Sequence, residues 1–167
     1  GGTNAYGFDS EVIRTSAPAY MTDQEHQVKC LGLEDFWGNY WEFIDGLTSD
    51  ANRNVMTCDI AKNFVTNGTG YKNNGNGGVT ANIANYMKLP QGGSDAGFTA
   101  RDVSGSDSTY FTDYASLSAS CLAIFGGVWS HALGAGAFRL YVNYAFSLSN
   151  VNVGCRLMFM HKEEPKE

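Results

Sequence analysis

The sequence predicts a loop-rich domain, α+β or mostly β in class, with aromatic packing. Aromatic residues (13%) and glycines (20) are both abundant, a mix that suits strand packing and tight turns and argues against a helical bundle. Strand-prone runs lie towards both ends of the chain, separated by long turn-rich stretches, and two short segments carry helix signals. With 167 residues the chain forms one domain with room for a sizeable core.

Residues 1–20 have weak periodicity and include Pro18, which predicts an extended lead-in. Thr22-Asp-Gln-Glu25 has the form of a capping box, so a short helix is expected from there to about Lys29. Gly38-Asn39 is a turn signal, and Tyr40 to Ile44 is aromatic and β-prone, hence a buried strand. Trp37 and Trp41, flanked by Phe36, Tyr40 and Phe43, belong to the core. Val55 to Cys58 is a second short strand, and Asn67 to Gly78 a long turn-rich loop. A short helix is expected over Asn82 to Lys88, ended by Pro90, before a Gly- and Ser-rich run from Gln91 to Asp107. Tyr110-Phe111 and Ser120 to Phe125 read as strands. Phe138, Leu140 and Val142 then alternate with Arg139 and Tyr141, and Val153, Cys155, Leu157 and Phe159 share one face. The last strands are therefore expected to be half-buried, with one face open to a ligand. His161 to Glu167 is a charged tail that frays.

A net charge of −6 without a Lys/Arg cluster disfavours nucleic acid and anionic membranes, because no basic patch exists to release phosphate counterions. No apolar run approaches the length of a membrane-spanning helix, so direct membrane insertion is not expected. Cys30, Cys58, Cys121 and Cys155 are widely spaced with no CxxC pair, which argues against a zinc site. Two disulfides, in three connectivities, and free thiols both stay open; Cys121 and Cys155 sit in apolar stretches that favour burial. Asp35, Glu42, Asp45, Asp50 and Asp59 offer calcium-type oxygens but no EF-hand spacing, so neither a metal nor another cofactor is expected. His131 has no second ligand nearby in sequence, and His26 and His161 lie near the domain edges, which makes His131 a surface residue rather than a ligand or base.

The segment Gly126 to Leu157, GGVWSHALGAGAFRLYVNYAFSLSNVNVGCRL, is the most informative. Trp129, Ala135, Ala137, Phe138, Leu140, Val142, Gly154 and Cys155 are small or apolar, as a packed frame needs. Interleaved with them stand Val128, Ser130, His131, Leu133, Gly134, Arg139, Tyr141, Tyr144, Phe146 and Leu148, which share no chemistry. A catalytic site uses a few defined groups at fixed spacing; unrelated side chains on a frame fit a surface that varies. The segment lacks Lys, Glu, Gln and Met, and its one Trp belongs to the frame. Every residue of the second group has a codon ending in C or T. An Asn codon randomised at its two adenines generates such a set, and unaltered Asn stands at Asn143, Asn150 and Asn152. Tyr141, Tyr144 and Phe146 are the expected anchors, Arg139 and His131 the polar contacts, with Ser130 and Gly134 setting the relief.

Two segments carry a family resemblance. Leu33 to Gly46, LEDFWGNYWEFIDG, resembles the GNxWEW signature of the formylglycine-generating-enzyme branch of the C-type lectin fold. Gly126–Trp129, Ala135–Phe138, Ser147–Asn152 and Gly154–Leu157 are similar to the C-terminal repeat of variable proteins of diversity-generating retroelements. That resemblance implies an α+β C-type lectin fold over residues 21–160, with a small twisted antiparallel sheet, short helices and long loops, and a variable region at 126–157. It implies a reverse transcriptase that copies a template repeat and misreads its adenines. Its further implications are a non-enzymatic role, a cell-surface protein or glycan as target, location on a phage virion or bacterial surface, and display as several copies, a homo-oligomer included. Arg156 would be structural. The alternatives are a non-varying lectin-like or phage structural domain and, less favoured, a formylglycine-generating-type oxidase. The oxidase needs a close reactive cysteine pair, for which Cys121 and Cys155 are the C-terminal candidates.

Overall fold

The computed structural model describes residues 29–30, 33–34, 36–93, 95–106, 108–109, 111, 113–128, 130–131 and 135–155. The expected lead-in, the capping box, the tail, Asp35, Tyr110, Trp129, Leu133, Gly134, Arg156, Leu157 and Phe159 lie outside them.

Twelve strands are defined among the described residues: β1 (Lys29–Cys30), β2 (Leu33–Glu34), β3 (Trp41–Ser49), β4 (Val55–Thr57), β5 (Lys72–Asn73), β6 (Ile83–Tyr86), β7 (Leu89–Pro90), β8 (Ala100–Asp102), β9 (Tyr114–Leu117), β10 (Leu122–Gly126), β11 (Gly136–Tyr144) and β12 (Val153–Gly154). Seven of them form one sheet in the order β5-β4-β3-β10-β11-β9-β6, and β12 joins it as an eighth by pairing with β3. Two small two-stranded ribbons, β1-β2 and β7-β8, stand apart.

This architecture overturns the expected α+β, C-type lectin fold with a small antiparallel sheet and short helices. The protein is nearly all sheet, and the sheet is mixed: β9 runs parallel to β11, and β12 parallel to β3. Helix among the described residues is confined to short 3-10 turns such as Ala61–Asn63. The helix expected over Asn82 to Lys88 is strand β6 instead. Ile83 packs on the core and Tyr86 stacks edge-on against Tyr114 of β9, with ring centroids 5.2 Å apart. The cross-strand contacts outweigh a weak local helix signal.

Other strands fall where the sequence put them, at different lengths. The aromatic run at Tyr40 to Ile44 begins the nine-residue β3, and Ser120 to Phe125 supplies most of β10. The alternation at Phe138 to Val142 lies inside β11. Phe111 is exposed and outside any strand, and β9 begins three residues later.

The two faces of the central strands bury different clusters. Ala123 of β10, Leu140 and Val142 of β11, Leu117 of β9 and Leu47 of β3 meet Val55 and Val79 on one side. Trp41, Ile124 and Val128 form the other, with Phe43, Tyr141, Tyr144 and Val153 packed against them. Leu117, Ile124, Val55 and Val142 are fully buried, each contributing roughly 1.5–3 kcal/mol.

Glycine matters at two places. Gly46 interrupts β3 at a bulge: Ile44 pairs with Ala123, but Thr48 already pairs with Leu122. Its φ of +82° is left-handed, and a Cβ there would run into the Cys58 carbonyl, so the bulge requires glycine. Gly126 and Gly127, at φ +90° and +79°, end β10 against the backbone of Trp37 and turn the chain into the segment that carries Val128 and His131.

Candidate functional site

One face of the sheet carries a row of rings contributed by four strands and a turn. Tyr86 of β6 meets Tyr114 of β9, which lies 5.7 Å from Tyr141 of β11. Tyr141 lies 4.7 Å from Trp41 of β3, and Trp41 also meets the imidazole of His131 at 5.4 Å. The pairing registers produce this row. Tyr86 is opposite Tyr114, and Ser116, two residues on from Tyr114, is opposite Tyr141, so all these side chains point to the same side of the sheet.

Arg139 sits among the rings. Its guanidinium carbon is 4.9 Å from the Tyr141 ring centre, 5.2 Å from Trp41 and 5.5 Å from Tyr114, distances at which the ring faces attract a cation. Its Nη2 donates to the Tyr141 hydroxyl at 2.7 Å. Only 6% of Arg139 is exposed. Asp113, just before β9, accepts the Phe138 amide hydrogen at 2.9 Å. Burial raises the proton affinity of its carboxyl, partly offset by the Phe138 amide and by Arg139. Burial likewise raises that of the Tyr141 hydroxyl, against the pull of Arg139.

His131 closes a short turn. Its amide donates to the Val128 carbonyl, and its Nδ1 accepts the Val128 amide hydrogen, each at 3.0 Å. This fixes the neutral ring with its proton on Nε2. Burial first, then the neighbouring Arg139 charge, push its proton affinity down to about 4.

The residues expected to vary thus fall into two sets. Val128 and Arg139 are buried, while Tyr141 and His131 are half-buried and tied into the ring row. Ser130 is exposed, and Tyr144, Phe146 and Leu148 are half-buried at the end of β11 and in the loop after it. Leu133 and Gly134 lie outside the described residues. Of the expected frame, Ala135, Leu140 and Val142 are buried, Ala137 and Gly154 half-buried, and Cys155 exposed. Phe138 does not share the burial of Leu140 and Val142; it is 67% exposed. The reason is a register break: Phe125 pairs with Leu140 but Gly126 with Gly136, so Ala137 to Arg139 bulge out of the alternation. Phe138 and the 42% exposed Phe111 are surface aromatics that the sequence pattern did not single out. Asp113 and Tyr114 had no local signal either, because a parallel strand pairing brings them in.

The loop from Ala145 to Asn152 is held at both ends by the main sheet. It leaves β11 and returns as β12, which pairs with Trp41 and Glu42 of β3. Within it Leu148 donates its amide to Ala145, and Trp41 donates to Asn152. Ala145, Ser147, Ser149, Asn150 and Val151 are exposed, Val151 by 92%.

Cys58, Cys121 and Cys155 are free thiols. Cys121 is buried, donates to the Ala119 carbonyl and is held protonated by burial, which is the wrong state for thiolate chemistry. Among the described residues no three His, Cys, Asp or Glu side chains converge as a metal site. Asp50 instead accepts from the Asn52 and Asn54 amides to close its own turn. A cavity of about 500 Å³ lies away from the ring row, between Ile44, Leu47, Asp59, Lys72 and Phe98. Comparison with protein-family models, curated proteins and solved structures finds no match.

Proposed function

We propose that this protein is a recognition module whose binding surface is built to be varied. Ser130 and the loop after β11, with Phe146 and Leu148, form its changeable part. The observation that carries this is the loop after β11, anchored at both ends in a packed sheet while most of its residues face solvent. Connections on a rigid scaffold accept new side chains without disturbing the core. Phe138 and Phe111 add apolar area to the same molecule's surface, and aromatic side chains are effective contacts. Val128, Arg139 and Tyr141 act from beneath, fixing the ring row on which the surface rests. The codon pattern of residues 126–157 and the likeness to retroelement variable proteins support diversification as the source of the variation. The target would be a protein or glycan on a cell surface, and the module would work from a phage particle or a bacterial surface.

The reading is tested with two libraries. One randomises Ser130, Phe146 and Leu148, and the other randomises Ala135, Gly136, Leu140 and Val142. Most members of the first should fold, and selection against a panel of cell-surface proteins and glycans should return binders from it. Most members of the second should fail to fold. Equal loss of folding in both would refute a varied surface on a fixed frame.

A further inference from the structure

The Val128–His131 turn joins the candidate surface to the ring row through one proton-sensitive atom. Val128 is buried against Trp41 and Ile124. Its amide has the His131 Nδ1 lone pair as acceptor, and the imidazole rests edge-on against Trp41. The Arg139 guanidinium rests on that same Trp41 ring, 5.2 Å from its centre. Two neighbouring groups, one already cationic, therefore share one aromatic ring. A proton on Nδ1 turns the acceptor into a donor facing a donor. It also places a second positive charge beside Arg139.

We propose that this turn is an acid-sensitive catch: it holds the Val128–His131 segment against Trp41 at neutral pH, and a proton taken up at His131 Nδ1 releases it. The exposed Ser130 would move with the segment.

The described titratable groups packed in and beside the ring row come from β11 and β9. β11 contributes Arg139, Tyr141 and Tyr144, β9 contributes Tyr114, and Asp113 lies just before β9. β10 carries no charged residue, and β3 presents the uncharged Trp41. Asp113 is a described carboxylate that acts on Arg139 there, and acid neutralises it. That leaves the Arg139 charge less compensated as His131 takes up its proton.

The linkage has a definite sign. His131 binds its proton near 4 in the folded chain against an ordinary value of 6.5. Between those values the unfolded state holds more protons, so stability falls as the pH drops through the window and levels off below it. Asp113 works in the opposite sense, since its folded carboxyl is the easier to protonate.

The test is amide hydrogen exchange by NMR on the whole chain from pH 7 to 3.5, with the His131 ring nitrogens followed in parallel. The protection factor of the Val128 amide should fall at least tenfold in step with imidazole protonation, while Ile124 and Val142 amides stay protected. In His131→Asn, whose side chain cannot take up the proton, that step should vanish. Three results would each overturn the catch. Val128 protection could stay unchanged through imidazole protonation, fall equally in His131→Asn, or be lost only together with Ile124 and Val142 as the whole protein unfolds.

Discussion

Arg139 is the residue whose role changes most between sequence and structure. As a charged residue alternating with core positions it reads as a polar contact on an open face. Its partner Trp41 lies 98 residues earlier in the chain and Tyr114 lies 25 residues earlier, and no local pattern announces them. Surrounded by three rings and hydrogen-bonded to Tyr141, it is a packing residue as much as a charge. We expect Arg139→Ala to cost about 2–4 kcal/mol in urea unfolding, as losses from buried networks do. Arg139→Met, which keeps the stem and drops the charge, should recover part of that. A change within about 0.5 kcal/mol for the alanine variant, the range of ordinary surface substitutions, would return Arg139 to the open surface. Val142 shows the opposite case: its alternation with Tyr141 was legible in the sequence, and it is fully buried.

At the scale of elements, legibility follows apolar content. β3, β10 and β11 announced themselves by aromatic and branched residues, because a central strand is covered on both faces. The edge strand β5 is the polar pair Lys72-Asn73, and β6 is only four residues long, too short for an alternation to stand out; its pairing with β9 makes it a strand. The bulge that throws Phe138 outward could not be read from the sequence, since a register break is a property of two strands together. Gly136 illustrates that dependence. Its backbone torsion is not left-handed, yet a Cβ there would collide with the Asp113 carboxylate, which must stay in place to accept the Phe138 amide. Gly136→Ala should therefore destabilise by roughly 1–3 kcal/mol through overcrowding. Pairing it with Asp113→Ala should give less than the sum of the two single losses in thermal or urea unfolding. Strict additivity would mean that the two sites do not meet.

For the whole molecule, strand order was the least legible property. The sequence placed strands near both ends of the chain, but it did not show β9 inserted parallel to β11 or β12 returning to β3. Those pairings join residues far apart in the chain, and several sheets satisfy the same local patterns. They are also what the proposed function depends on, because they turn the loop after β11 into a surface clamped at both ends. Within the candidate segment, the division into buried and exposed residues was not legible, because it depends on which strands flank β11. The proposed function requires that natural variation be channelled onto this clamped surface. The most direct measurement is sequencing of the coding locus and its flanks from independent isolates. The expected result is a near-copy of the Gly126–Leu157 coding segment beside a reverse transcriptase gene, with differences between isolates confined to adenines of that template. A single-copy segment that is invariant between isolates would contradict it.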